Sequence, residues 1–192
     1  TRRPGGVGDE LVAEDDVGRR EQWEREAGRD VGKEARCIDR GDEARRIVEE
    51  AEARGDWLLV EGQGSLDHPA YSSVTLGLIH GATPHAMVLV HKPGLADHDF
   101  DHLPDRTFPI AELRPFIETH ERVAGLIAPS RVVAIALNTS LIASDDEASA
   151  EIERTAAETG LPCDDPVRFG PDRLWAAIEA GVDSLPWLRG VS

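Results

Sequence analysis

The sequence predicts an α/β domain built on a mostly parallel sheet with helices on both faces. Three observations carry this. Short, almost wholly apolar runs occur at Trp57–Val60, Ala86–Val90 and Val132–Leu137, and they have the length of strands rather than of helices. Longer amphipathic stretches alternate with them, as crossover helices do. The runs also lack the in–out alternation of a half-solvated strand, which is how strands buried on both faces of a parallel sheet read.

The elements follow in order. Asp42 is a fair N-cap, Ile47, Val48 and Ala51 share a helical face, and Gly55 stands where that helix would end. A buried strand is expected at 57–61. A glycine and proline loop leads to a helix from about Val74 to His80, with Ser72 as its cap and Gly81 as its stop. Ala86 to His91 reads as a second buried strand. The loop at 92–109 is long, and its Ala96–His102 stretch reads as a solvated acidic loop rather than a metal site. The His98/His102 spacing would suit a metal only on a helix, and Pro104 follows closely. Ile110 to about Leu126 has helical periodicity, with Pro115 disturbing it or marking its first turn. Arg131–Leu137 is a third strand, ending at Asn138-Thr139. Ser144 or Asp145 caps a helix that runs to Thr159 and stops at Gly160. Leu161–Cys163 is read as a short fourth strand, and a last helix starts near Pro171 and passes through Trp175 and Ile178. No internal repeat is seen.

Two regions are expected: a poorly structured or degenerate segment at 1–40 and a folded domain at 41–192. The first is rich in Gly, Arg, Asp and Glu, and cannot bury enough apolar surface to offset its ordering entropy. Its stretch Ala27–Glu34 echoes a phosphate loop, but Ala27 replaces the first glycine and Glu34 replaces the Ser or Thr, so it reads as a decoy or a decayed remnant.

The net charge of −16, from 37 acidic residues against 21 Lys plus Arg, argues against nucleic acid or anionic lipid as partner. Only Lys33 and Lys92 are lysines. That bias fits either a salt-rich cytoplasm or a GC-rich genome. No apolar stretch is long enough to span a bilayer, and the N-terminus lacks the apolar middle of a secretory signal, so a soluble cytoplasmic setting is expected. Cys37 and Cys163 have no metal or disulfide spacing and read as plain small residues.

Candidate chemistry gathers where strands end. Glu61, His91 and Asn138 each terminate an apolar run and are expected on one sheet edge, the place where open parallel sheets bind ligands. Glu61 could act as a base or hold a cation, His91 could exchange a proton, and Asn138 could offer an amide contact. The turn Gly62-Gln63-Gly64-Ser65, followed by a helix start near Ser72, suits a phosphate or carboxylate. His68 is a candidate general acid or base, and Tyr71 a donor to developing charge. Arg168 could grip a carboxylate or phosphate with two parallel bonds, or form a surface ion pair. No metal-ligand set is assigned.

Val60-Glu61-Gly62-Gln63-Gly64-Ser65-Leu66, His68-Pro69-Ala70-Tyr71-Ser72 and Val74–Gly81 closely resemble the C-terminal domain of the DgcN-like D-glutamate N-acetyltransferase family. Much of that family was long known only as a domain of unknown function. The resemblance runs through Ala86–His91, Ala134–Thr139 and Gly160–Pro162 to Pro166–Gly170, over roughly residues 42–181. It implies a P-loop NTPase-like three-layer sandwich, incomplete here at the N-terminus. Family members carry a Gly-Lys phosphate loop with further strands and helices at the start of this domain, and a small Rossmann-like domain before it. The resemblance also implies acetyl transfer from acetyl-CoA to the amine of D-glutamate. The Val60-Glu61-Gly62 turn is similar to that of dethiobiotin synthetases, where the glutamate lies near nucleotide phosphates and metal. Mg is therefore an open second cofactor, and a nucleotide-dependent ligase or phosphotransferase the alternative activity. A non-catalytic remnant is the third reading. Self-association into a homo-oligomer is left open.

Overall fold

The computed structural model describes residues 40–52, 57–62, 65–98 and 105–188. The chain divides into two units, Thr1–Ile38 and Asp39–Ser192, and every described residue belongs to the second. The expectations for the N-terminal arm, the phosphate-loop echo, Cys37, Gly55, Gln63, Gly64 and His102 lie outside the described residues.

The described elements are α1 (Arg40–Glu52), α2 (Ser72–Ala82), β1 (Ala86–His91), α3 (Leu113–Ala124), β2 (Arg131–Leu137), α4 (Asp145–Thr159), β3 (Cys163–Asp164) and α5 (Asp172–Ser184). The three strands form a parallel sheet in the order β1-β2-β3. β2 is the centre, and its apolar run is buried on both faces, as a central parallel strand should be. A register shift between β1 and β2 occurs at Met87/Val88. This bulge resets the alternation of side chains along β2. Val132, Ile135 and Leu137 thereby join one core cluster with Leu89, Leu113, Ile117 and Ile152. Val133 faces the other way, against Gly181 of α5, where a Cβ would come within 2.7 Å of the Val133 Cβ. Helices α3 and α4 cover one face and α5 the other, so the α/β sandwich expected from the sequence is the observed one.

Local chemistry explains the helix ends. Ser144 caps α4 by accepting the Glu147 N–H and donating its hydroxyl to the Glu147 carboxylate. Asp145, Asp146 and Glu147 sit in the first turn, where acidic charge complements the helix dipole. Gly160 closes the helix with φ +73°, a conformation glycine adopts at no steric cost. In α3, Pro115 lies in the first turn, where its missing N–H costs nothing, and Leu113, Ile117, His120 and Ala124 form the buried stripe.

Three expectations are corrected. Residues 57–62 are not a buried strand. They carry no regular secondary structure and pair with no strand among the described residues, and Trp57, Leu58, Leu59 and Val60 are exposed by 41–76%. An all-apolar run becomes a core strand only if neighbours supply hydrogen bonds and cover, and among the described residues no strand does so here. Trp57 lays its ring against Trp175 of α5, at 5.0 Å between centroids. β1 is not fully buried but lies at the edge of the sheet among the described strands, with Val88 and Val90 exposed. Finally, Gly81 does not stop α2 but lies inside it, buried against α1, where a Cβ would come within 2.2 Å of the Gly41 carbonyl oxygen. Helix α2 ends at Thr83, in the left-handed region at φ +44°.

Candidate functional site

The most organised polar cluster among the predicted site residues is the turn between residues 65 and 72. The His68 N–H donates to the Ser65 carbonyl at 3.2 Å, and the Ser72 N–H to the His68 carbonyl at 3.2 Å. The His68 ring is buried inside this turn. Its Nδ1 accepts the main-chain N–H groups of Ala70, at 3.1 Å, and Tyr71, at 3.3 Å. Tyr71 lays its ring 4.6 Å from that of His68 and remains exposed. Ser72 is the first residue of α2 rather than its cap. Tyr71 holds the N-cap position, and no side chain caps this helix.

Asp67 is the hub of the cluster. Its Oδ1 accepts the Ser65 hydroxyl at 2.5 Å, and its Oδ2 accepts the Ala111 N–H at 3.1 Å. His98 Nε2 lies 3.1 Å from the same Oδ1. That nitrogen is fully buried and meets the carboxylate off the straight hydrogen-bond line. Burial pushes the Asp67 carboxyl upward, but the bonds from Ser65, Ala111 and His98 together outweigh it and hold the group below its ordinary value.

His98 reaches this place through the described parts of the long loop, residues 92–98 and 105–109. Its two legs zip together in antiparallel fashion. The His98 N–H donates to the Phe108 carbonyl at 2.8 Å, and the Ile110 N–H to the Ala96 carbonyl at 2.9 Å, flanking the Asp97–Pro109 bridge. The His98 ring then stands edge-on to His68 at 5.1 Å between centroids. Sequence reading passed over Asp67 and weighed His98 only as a metal ligand in an acidic loop, so the acidic composition around it concealed a residue that turns toward Asp67. The one usable signal was the length of the loop, which is uncommon in compact domains unless it serves a site.

The other expected residues are placed as follows. His91 and Asn138 do share the C-terminal sheet edge, since the Asn138 N–H donates to the His91 carbonyl at 2.8 Å. Their side chains diverge. His91 is half-buried near Glu151, Arg154 and Glu158 of α4, and burial is the main cause that lowers its pKa. Asn138 is exposed and turns its amide oxygen back onto the Ser140 N–H at 3.1 Å. Glu61 and Gly62 are exposed, and among the described residues no strand carries Glu61 to that edge. Gly62 is not among the positive-φ glycines, and a Cβ there would meet nothing within 4 Å. Arg168 spends both Nη groups on main-chain carbonyls, those of Ser144 at 3.0 Å and Ile142 at 2.8 Å, with Asp145 at 3.6 Å from Nε. A cleft of about 330 Å³ opens between α1 and α2, lined by Asp42, Arg45, Ser73 and His80 among others, and none of the predicted site residues lines it. Cys163 is the plain small residue expected, its thiol pushed up to about 11 by burial.

Comparison with known proteins adds the following. The family described as "Domain of unknown function (DUF1611_C) P-loop domain" matches residues 42–175. A protein of a Pseudoalteromonas species named D-glutamate N-acetyltransferase is 40% identical over 123 residues, covering 64% of this chain and 36% of its own length. One of the same name from Tritonibacter scottomollicae is 35% identical over 133 residues, covering 65% of this chain and 36% of its own. The crystal structure of a DUF1611 family protein from Anabaena variabilis aligns with a TM-score of 0.65 at 40% identity, covering 73% of this chain and 40% of that one. The chain thus spans 36% of the length of the curated relatives it matches. No helix among the described residues is long and apolar enough to cross a membrane.

Proposed function

The chain belongs to the DUF1611 family through its P-loop domain, and on that premise we propose that it carries part of an N-acetyltransferase acting on D-glutamate or a related amino acid, with acetyl-CoA as the acetyl donor. The observation that carries this reading is that two relatives of that name are 35–40% identical to the chain. The geometry is compatible with it. Acetyl transfer to an amine needs a proton removed from the ammonium form, a donor for the carbonyl oxygen that turns negative, and groups that orient the amine. The His68–Tyr71 turn offers an imidazole with a fixed tautomer and an exposed phenol beside it. In this proposal Tyr71 donates to the developing oxyanion, His68 donates from Nε2, and Glu61 attracts the ammonium group. Gly62 to Ser65, Ser72, His91, Asn138 and Arg168 remain proposed contacts to substrate or donor.

The test is direct. The chain is incubated with acetyl-CoA and either D- or L-glutamate, and products are read by mass spectrometry. N-acetyl-D-glutamate is the expected product, and the absence of any acetylated amino acid overturns the proposal. The P-loop description of the family favours one second reading, a nucleotide-dependent ligase or phosphotransferase. Heat on calorimetric titration with Mg-ATP would support it.

A further inference from the structure

The two histidines of the cluster have different proton chemistry, and this separates their roles. His68 Nδ1 accepts two main-chain N–H groups, so its lone pair is engaged and the neutral ring carries its proton on Nε2. Such a ring can donate from Nε2 but has no free lone pair with which to take a proton. His98 is arranged the other way. Its Nε2 faces the Asp67 carboxylate at 3.1 Å, where a lone pair would be repelled, so the proton sits on Nε2. Nδ1 keeps its lone pair, and nothing among the described residues bonds to it.

We propose that His98, oriented by Asp67, is the base that takes the proton from the acceptor amine. The inference rests on the acyl-transfer reading above and assigns a catalytic group that reading lacks. The support comes from both sides of the pair. Asp67 cannot swing away, because Ser65 and the Ala111 N–H fix its two oxygens. The main-chain bonds at Ala96, His98, Phe108 and Ile110 hold the His98 backbone. Asp67 and His68 are the titratable side chains that the structure sets against the His98 ring, and Tyr71 lies beyond His68.

The chemistry balances. A proton leaves the substrate ammonium for His98 Nδ1, freeing the nitrogen lone pair. That pair forms the N–C bond to the thioester carbonyl carbon, and the carbonyl π pair moves to oxygen. As it returns, the C–S bond breaks. The departing thiolate takes the second proton of the nitrogen, and His98 gives the first to solvent. In this scheme Asp67 is a positioning residue, acting only through His98.

The test combines kinetics with a spectroscopic signature. In His98→Gln the amide N–H can still face Asp67, so the hub is preserved while the base is lost. Acetyl transfer should fall by about 100- to 10,000-fold, the usual range for losing a general base. Imidazole added to His98→Ala should restore part of the rate. Nitrogen-15 spectra of the labelled chain should show His98 as the Nε2–H tautomer, with that preference lost in Asp67→Asn. An active wild type with an equally active His98→Gln overturns the inference alone, and so does a His98 ring protonated on Nδ1. A wild type that acetylates nothing overturns the acyl-transfer reading and this inference with it.

Discussion

Thr139 donates both its main-chain N–H, at 2.8 Å, and its hydroxyl, at 2.5 Å, to a single oxygen of Asp165. The other oxygen of Asp165 accepts the N–H groups of Val167 and Arg168, each at 3.0 Å. One buried carboxylate therefore closes the end of β2 and the turn after β3. Asp165→Ala strands these donors, and leaving buried donors unmet costs about 1–3 kcal/mol each where water cannot replace the partner. With water able to reach some of them, a total loss of about 3 kcal/mol is expected, which lowers the melting temperature by roughly 10 °C in a domain of this size. Thermal denaturation followed by circular dichroism measures it.

Acid should expose the same carboxylates. For Asp165, burial acts upward, but the bonds from Thr139, Arg168 and Val167 prevail and hold its pKa below 3.8, the ordinary value. Asp67 is depressed in the same sense. A folded-state pKa below the unfolded one gives stability that is complete above the unfolded value and is lost as pH falls through the folded value. The melting temperature should therefore drop steeply below about pH 4, and less steeply in Asp165→Asn. Melts from pH 6 down to pH 2 check this, and parallel acid limbs would contradict it.

Arg168 behaves as a tie between two loops. Its planar fork serves the carbonyls of Ile142 and Ser144 at once. Arg168→Lys, which keeps the charge but loses the fork, should cost about 1 kcal/mol, close to Arg168→Ala. Should Lys restore full stability, charge rather than geometry would be what the site uses.

Substitutions also separate the exposed apolar segment from a core strand. Leu59 is 76% exposed. Leu59→Asp should change stability by less than about 0.5 kcal/mol, as surface substitutions do, whereas a buried charge in a sheet would cost several kcal/mol. Gly62→Ala should be equally mild, since its Cβ meets nothing. Gly181→Ala drives a Cβ into Val133 and should cost about 1–3 kcal/mol. Urea denaturation midpoints distinguish the three.

What could be read from the sequence was local. The β2 run and the α4 boundaries at Ser144 and Gly160 follow from periodicity and cap chemistry, which need only near neighbours. Trp57–Val60 carries the same apolar signature as β2 but finds no pairing strand among the described residues, so tertiary context overrode propensity. The candidate site was legible by halves. His68 and Tyr71 announced themselves within one short motif, and their ring contact confirms the proximity. The Asp67–His98 pair did not, because it depends on a loop doubling back through main-chain bonds that no residue pattern near His98 encodes. Arg168 could be singled out as a bidentate donor, but not matched to its partners, since they are carbonyls of a distant turn.

The rate of acetyl transfer to D-glutamate by His68→Asn is the most direct test of where the chemistry lies. Asparagine can offer its side-chain oxygen to the Ala70 and Tyr71 N–H groups in place of Nδ1, so the turn is kept while the Nε2 donor is removed. The account predicts a rate at least about 100-fold below wild type in a chain that still folds. A folded His68→Asn chain that turns over at the wild-type rate would contradict it and move the active site away from this turn.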